Sequence, residues 1–135
     1  MPLYDTTSNT YFRRAFMNID VIAEKARETL AGVQFDTMVG TGLSGTLVVP
    51  SLARLLNVEC WAVVRKESTP HSSVMIEGSI GYRWLFVDDF ISSGATRRRV
   101  MDQVAWHVPR TTFAGSYLYE WSDGAYNTDL VQQQP

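Results

Sequence analysis

Cysteine is almost missing from these 135 residues: Cys60 stands alone, and the histidines are only His71 and His107. An internal disulfide and a multi-thiolate zinc site are therefore both excluded, and a reducing, cytoplasmic setting is expected. Charge of one sign is missing as well. Twelve Lys and Arg face fourteen Asp and Glu, giving a formal charge of -2 and a pI ≈ 5.6, without the basic excess of a nucleic-acid binder. No apolar run approaches the ~18 residues of a membrane span, and the opening MPLYDTTSNTYFRR has no apolar signal core. Internal repeats and linkers are absent, and the only low-complexity stretch is the tail Gln132-Gln133-Gln134-Pro135. What is present, 45% hydrophobic and 19% charged residues, suits one compact domain over 1–135 that buries roughly two thirds of its unfolded surface. The expectation is a soluble protein with neither nucleic acid nor membrane as its partner.

The spacing of apolar residues predicts the elements. Phe12, Phe16, Ile19, Ala23, Ala26 and Leu30 recur at steps of four and three, which predicts one amphipathic helix ended near Gly32. Short runs rich in β-branched and aromatic residues at 35–39, 59–64, 83–87 and 111–119 read as four strands. Leu47, Val48, Leu52, Leu55 and Leu56 have helical spacing between the first two strands, with Pro50 tolerable if it lies in the first turn. Val100, Met101, Val104 and Val108 repeat that spacing before the last strand, and Pro109 ends the helix. Residues 67–82, rich in Ser, Gly and Thr, read as a long mobile loop carrying Glu77. Strands alternating with crossover helices predict an α/β fold with a mainly parallel central sheet, helices on both faces, and ligands beyond the strands' carboxyl ends. Trp84 and Trp106 are assigned to packing. Arg97, Arg98 and Arg99 read as a solvated helix face with one residue pairing to Asp102, although cations there oppose the helix dipole.

The chemistry is densest at Leu85-Phe86-Val87-Asp88-Asp89-Phe90-Ile91-Ser92-Ser93-Gly94-Ala95-Thr96. An apolar strand delivers two adjacent carboxylates to the sheet edge, suited to the vicinal hydroxyls of a sugar or to Mg²⁺ held through water. The small residues after them suit a phosphate, because the backbone can approach closely and helix-start N–H groups face the anion. A plain helix-capping turn with solvated acids is the alternative. Gly40-Thr41-Gly42-Leu43-Ser44-Gly45-Thr46 is a second glycine-rich strand-to-helix turn, neither a P-loop nor a dinucleotide fingerprint. Arg65 and Lys66, at the end of the second strand, could neutralise a leaving anion or simply be solvated.

The segment around Asp88 and Asp89 resembles the signature of the type I phosphoribosyltransferases, and the similarity runs in order from about Phe35 to Thr96. Arg65, Lys66 and His71 are most similar to the pattern of the orotate members. The resemblance implies a core over about 33–120, with the second, first, third and fourth strands side by side, and a small hood from 1–31 and 120–135. It implies that Ile91, Ser92, Ser93, Gly94, Ala95 and Thr96 hold the 5-phosphate of phosphoribosyl pyrophosphate (PRPP). Asp88 and Asp89 then hold the ribose hydroxyls, and Mg²⁺ through water or substrate. Gly40, Thr41 and Gly42 correspond to the pyrophosphate loop, where a non-proline cis peptide is expected. Arg65 and Lys66 face the pyrophosphate, and His71 belongs to a closing loop that shields the reaction from water. Asp88, Asp89, Lys66 and His71 are the expected catalytic residues, and Tyr119 or Trp121 the face on which a base stacks.

Two departures bear on the base. The orotate pattern has a second lysine where Ser68-Thr69-Pro70 provides none, and the 6-oxopurine members have an acid at the position of Ser92. The expected activity is transfer of ribose 5-phosphate from PRPP to a nitrogenous base with release of pyrophosphate. The alternatives are a catalytically silent PRPP-binding regulatory module and a nucleotide-monophosphate binder or hydrolase. Members of the family are often homodimers whose neighbour contributes to the site, and the first helix could serve such a contact.

Overall fold

The computed structural model describes residues 18–66, 75–89, 91, 93–120 and 124–128, with Leu3. Among these residues three helices and six strands follow in the order α1 (Ile19–Thr29), β1 (Thr37–Thr41), α2 (Gly42–Leu55), β2 (Cys60–Val64), β3 (Ile76–Gly78), β4 (Arg83–Asp88), α3 (Ala95–His107), β5 (Thr112–Leu118) and β6 (Ala125–Asn127). All six strands form one sheet in the order β3-β2-β1-β4-β5-β6. The inner four are parallel, while β3 and β6 close the edges as short antiparallel strands. The parallel order predicted for the core is therefore the observed one.

Helices cover both faces of the sheet, as a buried parallel sheet requires. Ile22, Ala23, Ala26 and Leu30 of the α1 stripe pack with Val48, Val49 and Leu52 of α2 against Met38, Leu85, Val87 and Tyr117. On the other face Val100 and Val104 of α3 pack on Val39, Ala62, Val64 and Phe86. No described helix is long and apolar enough to cross a membrane.

Several expectations change. Pro50 lies in the interior of α2, not in its first turn, because the helix already opens at Gly42. The absent N–H removes one bond of the ladder, a loss offset where Val48, Val49, Leu52 and Ala53 are all fully buried. The first helix, placed in the hood by sequence, packs its described part into the core on α2, and β6 extends the sheet. Phe12 and Phe16 lie outside the described residues. Part of the predicted 67–82 loop is the strand β3, paired to β2 with Glu77 opposite Val63. Trp84 is buried against Phe113, with ring centroids 4.8 Å apart, but Trp106 is exposed. It lies two residues beyond Val104, off the stripe of Arg97, Val100 and Val104 that faces the sheet.

The register of β1 against β4 is bracketed at its start by Asp36. Its carboxylate accepts from the Thr37 hydroxyl (2.7 Å) and from the backbone N–H groups of Tyr82 (2.9 Å) and Arg83 (3.1 Å). Burial disfavours its ionisation, but these donors together hold the carboxyl below its ordinary value. Asp36→Ala is expected to lower stability by about 1–2 kcal/mol, since the donors lose their acceptor. Urea unfolding at pH 7 measures this, and an unchanged midpoint would show that the bracket contributes nothing.

Candidate active site

Because β1 lies between β2 and β4 and runs parallel to both, the carboxyl ends of the three strands open side by side. The chain leaves β1 for α2 on one face and β4 for α3 on the other, and this change of face makes a crevice at the strand ends. Thr41 pairs with Val64, and Val39 with Phe86, so Gly42, Arg65-Lys66 and Asp88-Asp89 all emerge at this edge.

The turn out of β1 depends on three glycines. A Cβ at Gly40 would lie 2.6 Å from Val49 Cγ2 and 3.3 Å from the Val87 carbonyl oxygen, and one at Gly45 would lie 3.1 Å from the Gly40 carbonyl carbon. The bare backbones let α2 dock directly on the end of β1. Gly42 has φ +73°, the left-handed region that favours glycine. This positive φ turns the chain, and the cis peptide expected between Gly40 and Gly42 does not form: no described peptide is cis. The α2 N-terminus has no side-chain cap and no acid in its first turn, so its N–H groups and dipole remain available to an anion. Lys66 extends over this turn, its Cε 3.3 Å and its Nζ 3.7 Å from where a Gly42 Cβ would be.

Across the crevice, Asp88 ends β4. The β4–β5 ladder continues past it, the N–H groups of Tyr119 and Glu120 donating to the Asp88 and Asp89 carbonyls (3.0 and 2.9 Å), and this holds both acids in place. Burial pushes the Asp88 carboxyl up to about 7. The Asp89 N–H, at 2.9 Å, and the charge of Lys66 act in the opposite direction, and the Asp89 charge adds to the rise. Asp88, Asp89, Ile91, residues 93–94, Thr96 and Arg97 line a cavity of about 170 Å³. Gly94, at φ +81°, precedes α3, and the Ala95 N–H donates to Ser93 Oγ at 3.2 Å. Ala95 and Thr96 form the exposed first turn, while Ile91 is buried under α3.

The β2 side carries a second cavity, of about 500 Å³, lined in part by Gly42, Pro50, Trp61, Arg65 and Lys66. Arg65, which the resemblance aims at pyrophosphate, forms an ion pair with Glu77 at 2.7 Å, both side chains being partly exposed. Pairing of β3 with β2 brings Glu77 there, so it belongs to an edge strand and not to the predicted loop. Tyr119, expected to offer a stacking face, is buried in the core: the period of two along β5 places it on the same side as Tyr117, toward α1 and α2. His71, Ser92 and Trp121 lie outside the described residues. Among those described, no group of three or more His, Cys, Asp or Glu side chains forms a closed metal site.

Two residues at this edge were misread in the sequence. Arg97 is 1% exposed and lines the acid cavity. Arg99 reaches from α3 to the Arg65 carbonyl and to Thr41 Oγ1, both at 2.9 Å. The predicted solvated arginine face is thus two-thirds engaged in the site. The available signal was their position in the positive end of a helix, where cations need anionic or carbonyl partners.

No family model matches the chain, and no curated protein matches it by sequence. Solved structures do. The chain is similar to a phosphoribosyltransferase from Corynebacterium diphtheriae, with a TM-score of 0.62 and 26% identity over 77% of this chain and 68% of that one. It is similar to the Mycobacterium tuberculosis H37Rv orotate phosphoribosyltransferase, solved with PRPP, at a TM-score of 0.62 and 24% identity over 77% of this chain and 62% of that one. An adenine phosphoribosyltransferase from Saccharomyces cerevisiae, complexed with an iminoaltritol bisphosphate and adenine, matches with a TM-score of 0.54 and 24% identity, covering 73% of this chain and 62% of that one. The chain spans less of other matching proteins, 21% and 52% of two of them.

The Asp88 carboxyl generates a stability prediction. Between its ordinary value of 3.8 and about 7, the folded chain keeps a proton that the unfolded chain has released, so stability from this group falls as pH rises through that window. Asp88→Asn keeps an acceptor for the Asp89 N–H and does not titrate. Its stability is expected to overtake that of the parent between pH 5 and pH 8, by on the order of 4 kcal/mol at the upper end, which melting temperatures across that range would show. Parallel pH profiles for the two proteins would show that Asp88 is not forced toward neutrality.

Proposed function

We propose that this chain, which has the fold of the type I phosphoribosyltransferases, binds PRPP in the crevice between β1 and β4 and transfers its ribose 5-phosphate to a nitrogenous base. One observation carries the reading. The parallel adjacency of three strand ends gathers an uncapped helix start at Gly42, a cation at Lys66, a pair of acids at Asp88 and Asp89, and a small-residue helix start at 93–96 around one crevice.

In this reading the 5-phosphate rests on Ser93, Gly94, Ala95 and Thr96 at the start of α3, and remote binding energy fixes the sugar's orientation. Asp88 and Asp89 accept hydrogen bonds from the ribose hydroxyls. As the bond from the sugar's anomeric carbon to the pyrophosphate oxygen loosens, their negative charge offsets the positive charge on that carbon. The pyrophosphate leaves with its bonding electron pair toward Gly40, Thr41, Gly42 and Lys66. The nitrogen of the base then supplies the pair for the new bond and releases its proton.

Asp88 and Asp89 also suit Mg²⁺ held through water or through the substrate. Two adjacent carboxylates, one pushed to about 7, are fewer than a closed cage needs but match a cation that retains most of its water. When bound, the ion supplies charge neutralisation on the pyrophosphate oxygens. A rise in pH through 7 ionises Asp88 and favours this binding.

A second reading is a PRPP-binding regulatory module without turnover. It is favoured by the burial of Tyr119, which removes one of the two aromatic faces expected to hold a base. The discriminating measurement is pyrophosphate release from PRPP and Mg²⁺ with orotate, uracil, adenine, hypoxanthine, guanine, xanthine and nicotinate. Release dependent on one base identifies a transferase and its substrate. PRPP binding with no release for any base identifies the regulatory module.

Two variants test the assigned roles. Asp88→Asn with Asp89→Asn is expected to lower turnover by at least about a hundredfold while the protein stays folded by circular dichroism. A fully active double variant would overturn the assignment. Lys66→Ala is expected to weaken pyrophosphate about tenfold and ribose 5-phosphate less than about twofold in calorimetric titrations. Equal losses for the two ligands would contradict the role of Lys66.

A further inference from the structure

The register of β1 and β2 is complete at Thr41 opposite Val64, yet the hydrogen bonding continues beyond that pair through a side chain from another layer. Thr41 Oγ1 donates to the Val64 carbonyl at 2.6 Å and accepts from Arg99 Nη2 at 2.9 Å. The other arm of the guanidinium, Nη1, donates to the Arg65 carbonyl at 2.9 Å. Thr41 is itself buried, and Arg99 is partly buried. One planar fork on α3 thus holds the last residue of β1 and the first residue after β2.

The neighbours of these anchor points give the fork its meaning. Thr41 precedes Gly42, whose positive φ makes the turn, and Arg65 precedes Lys66, whose side chain extends over that turn. The β1–β2 ladder stops there; the Arg65 N–H still donates to the Met75 carbonyl at 2.7 Å, but that bond ties Arg65 to the β3 side and not to β1. Arg99 also sits on the helix that begins directly after 93–94, so one rigid element joins the two ends of the crevice.

We propose that Arg99 is a positioning residue: its guanidinium fixes Gly42 and Lys66 relative to each other and to the start of α3, setting the spacing between two phosphate-binding ends. This role rests on the proposed function for its ligands, but the clamp itself does not. Lysine cannot reproduce the fork, since an ammonium is a single point on a flexible stem. Methionine keeps much of the stem and removes both donors.

The test uses the full chain with Arg99→Met, Arg99→Lys and Thr41→Val, read by backbone amide relaxation and by calorimetry with pyrophosphate and with ribose 5-phosphate, each with Mg²⁺. In Arg99→Met the order parameters of the Gly42 and Lys66 amides are expected to fall from about 0.85 to below about 0.6, while those of β4 and β5 hold. Pyrophosphate is expected to weaken about tenfold and ribose 5-phosphate by less than about twofold, with Arg99→Lys recovering part of the loss. Thr41→Val should loosen the same two amides, and it tests the clamp if Arg99→Met does not fold. Unchanged order at Gly42 and Lys66, or loosening spread evenly over the sheet, would overturn the clamp. If the parent protein binds neither ligand, the proposed function fails, and the amide order alone decides whether Arg99 holds the loop.

Discussion

The structure depends on the complete enclosure of β1. Its two edges are paired to β2 and β4, its two faces are covered by helices, and all five of its residues are buried. A strand so placed must satisfy every backbone group through its neighbours and cannot carry large side chains where a helix docks on it. Pairing to β2 and β4 answers the first demand, Gly40 and Gly45 answer the second by letting the α2 backbone approach, and the Thr41 hydroxyl in turn satisfies the Val64 carbonyl at the end of β2. The site at the strand ends is a consequence of this enclosure. The chain must leave β1 abruptly, and the abrupt turn exposes N–H groups in a fixed direction.

Electrostatics give that geometry its character. Asp88 and Asp89 are adjacent, partly buried and of one sign, which is costly, and the cost appears as a carboxyl forced toward neutrality. The Asp89 N–H and the charge of Lys66, brought by β2, oppose the rise, while Arg97 of α3 lines the same cavity and Arg99 holds the β1 and β2 ends in place.

What could be read from the sequence follows the range of the physics involved. Buried parallel strands announce themselves through unbroken apolar runs, so β1, β2, β4 and β5 were legible to within a few residues, and their order followed from the resemblance. The two short edge strands were not, because three-residue strands carry too little pattern, and β3 is defined by its pairing to the outer edge of β2. Trp106 and Tyr119 show the limit for single aromatics. Hydrophobicity alone cannot say which face of a helix or strand a ring occupies, and each ring lay on the side opposite to its expected role. Arg99 shows a deeper limit: its partners are 34 and 58 residues away, one just past the end of β2 and the other at the end of β1. The anomaly of cations at a helix start was visible, but its resolution required the fold. The acid pair and the small-residue turns were legible because strand-end chemistry is local, whereas Asp88's shifted ionisation arises from burial that only tertiary packing creates.

The edge presents two opposite chemical demands, and the combination restricts what can meet both. The α2 start, with no acid in its first turn and no side-chain cap, calls for an anion, as does Lys66 lying over it. The Asp88 and Asp89 carboxylates, a short distance along the same edge, reject an anion and call for hydroxyl donors or a hydrated cation. A simple phosphate satisfies the first demand and aggravates the second, and a metal ion alone does the reverse. A molecule with anionic groups at separated ends and neighbouring hydroxyls between them meets both demands at once. The Arg99 fork, which joins the ends of β1 and β2 to α3, links the parts of the edge that make these separate demands.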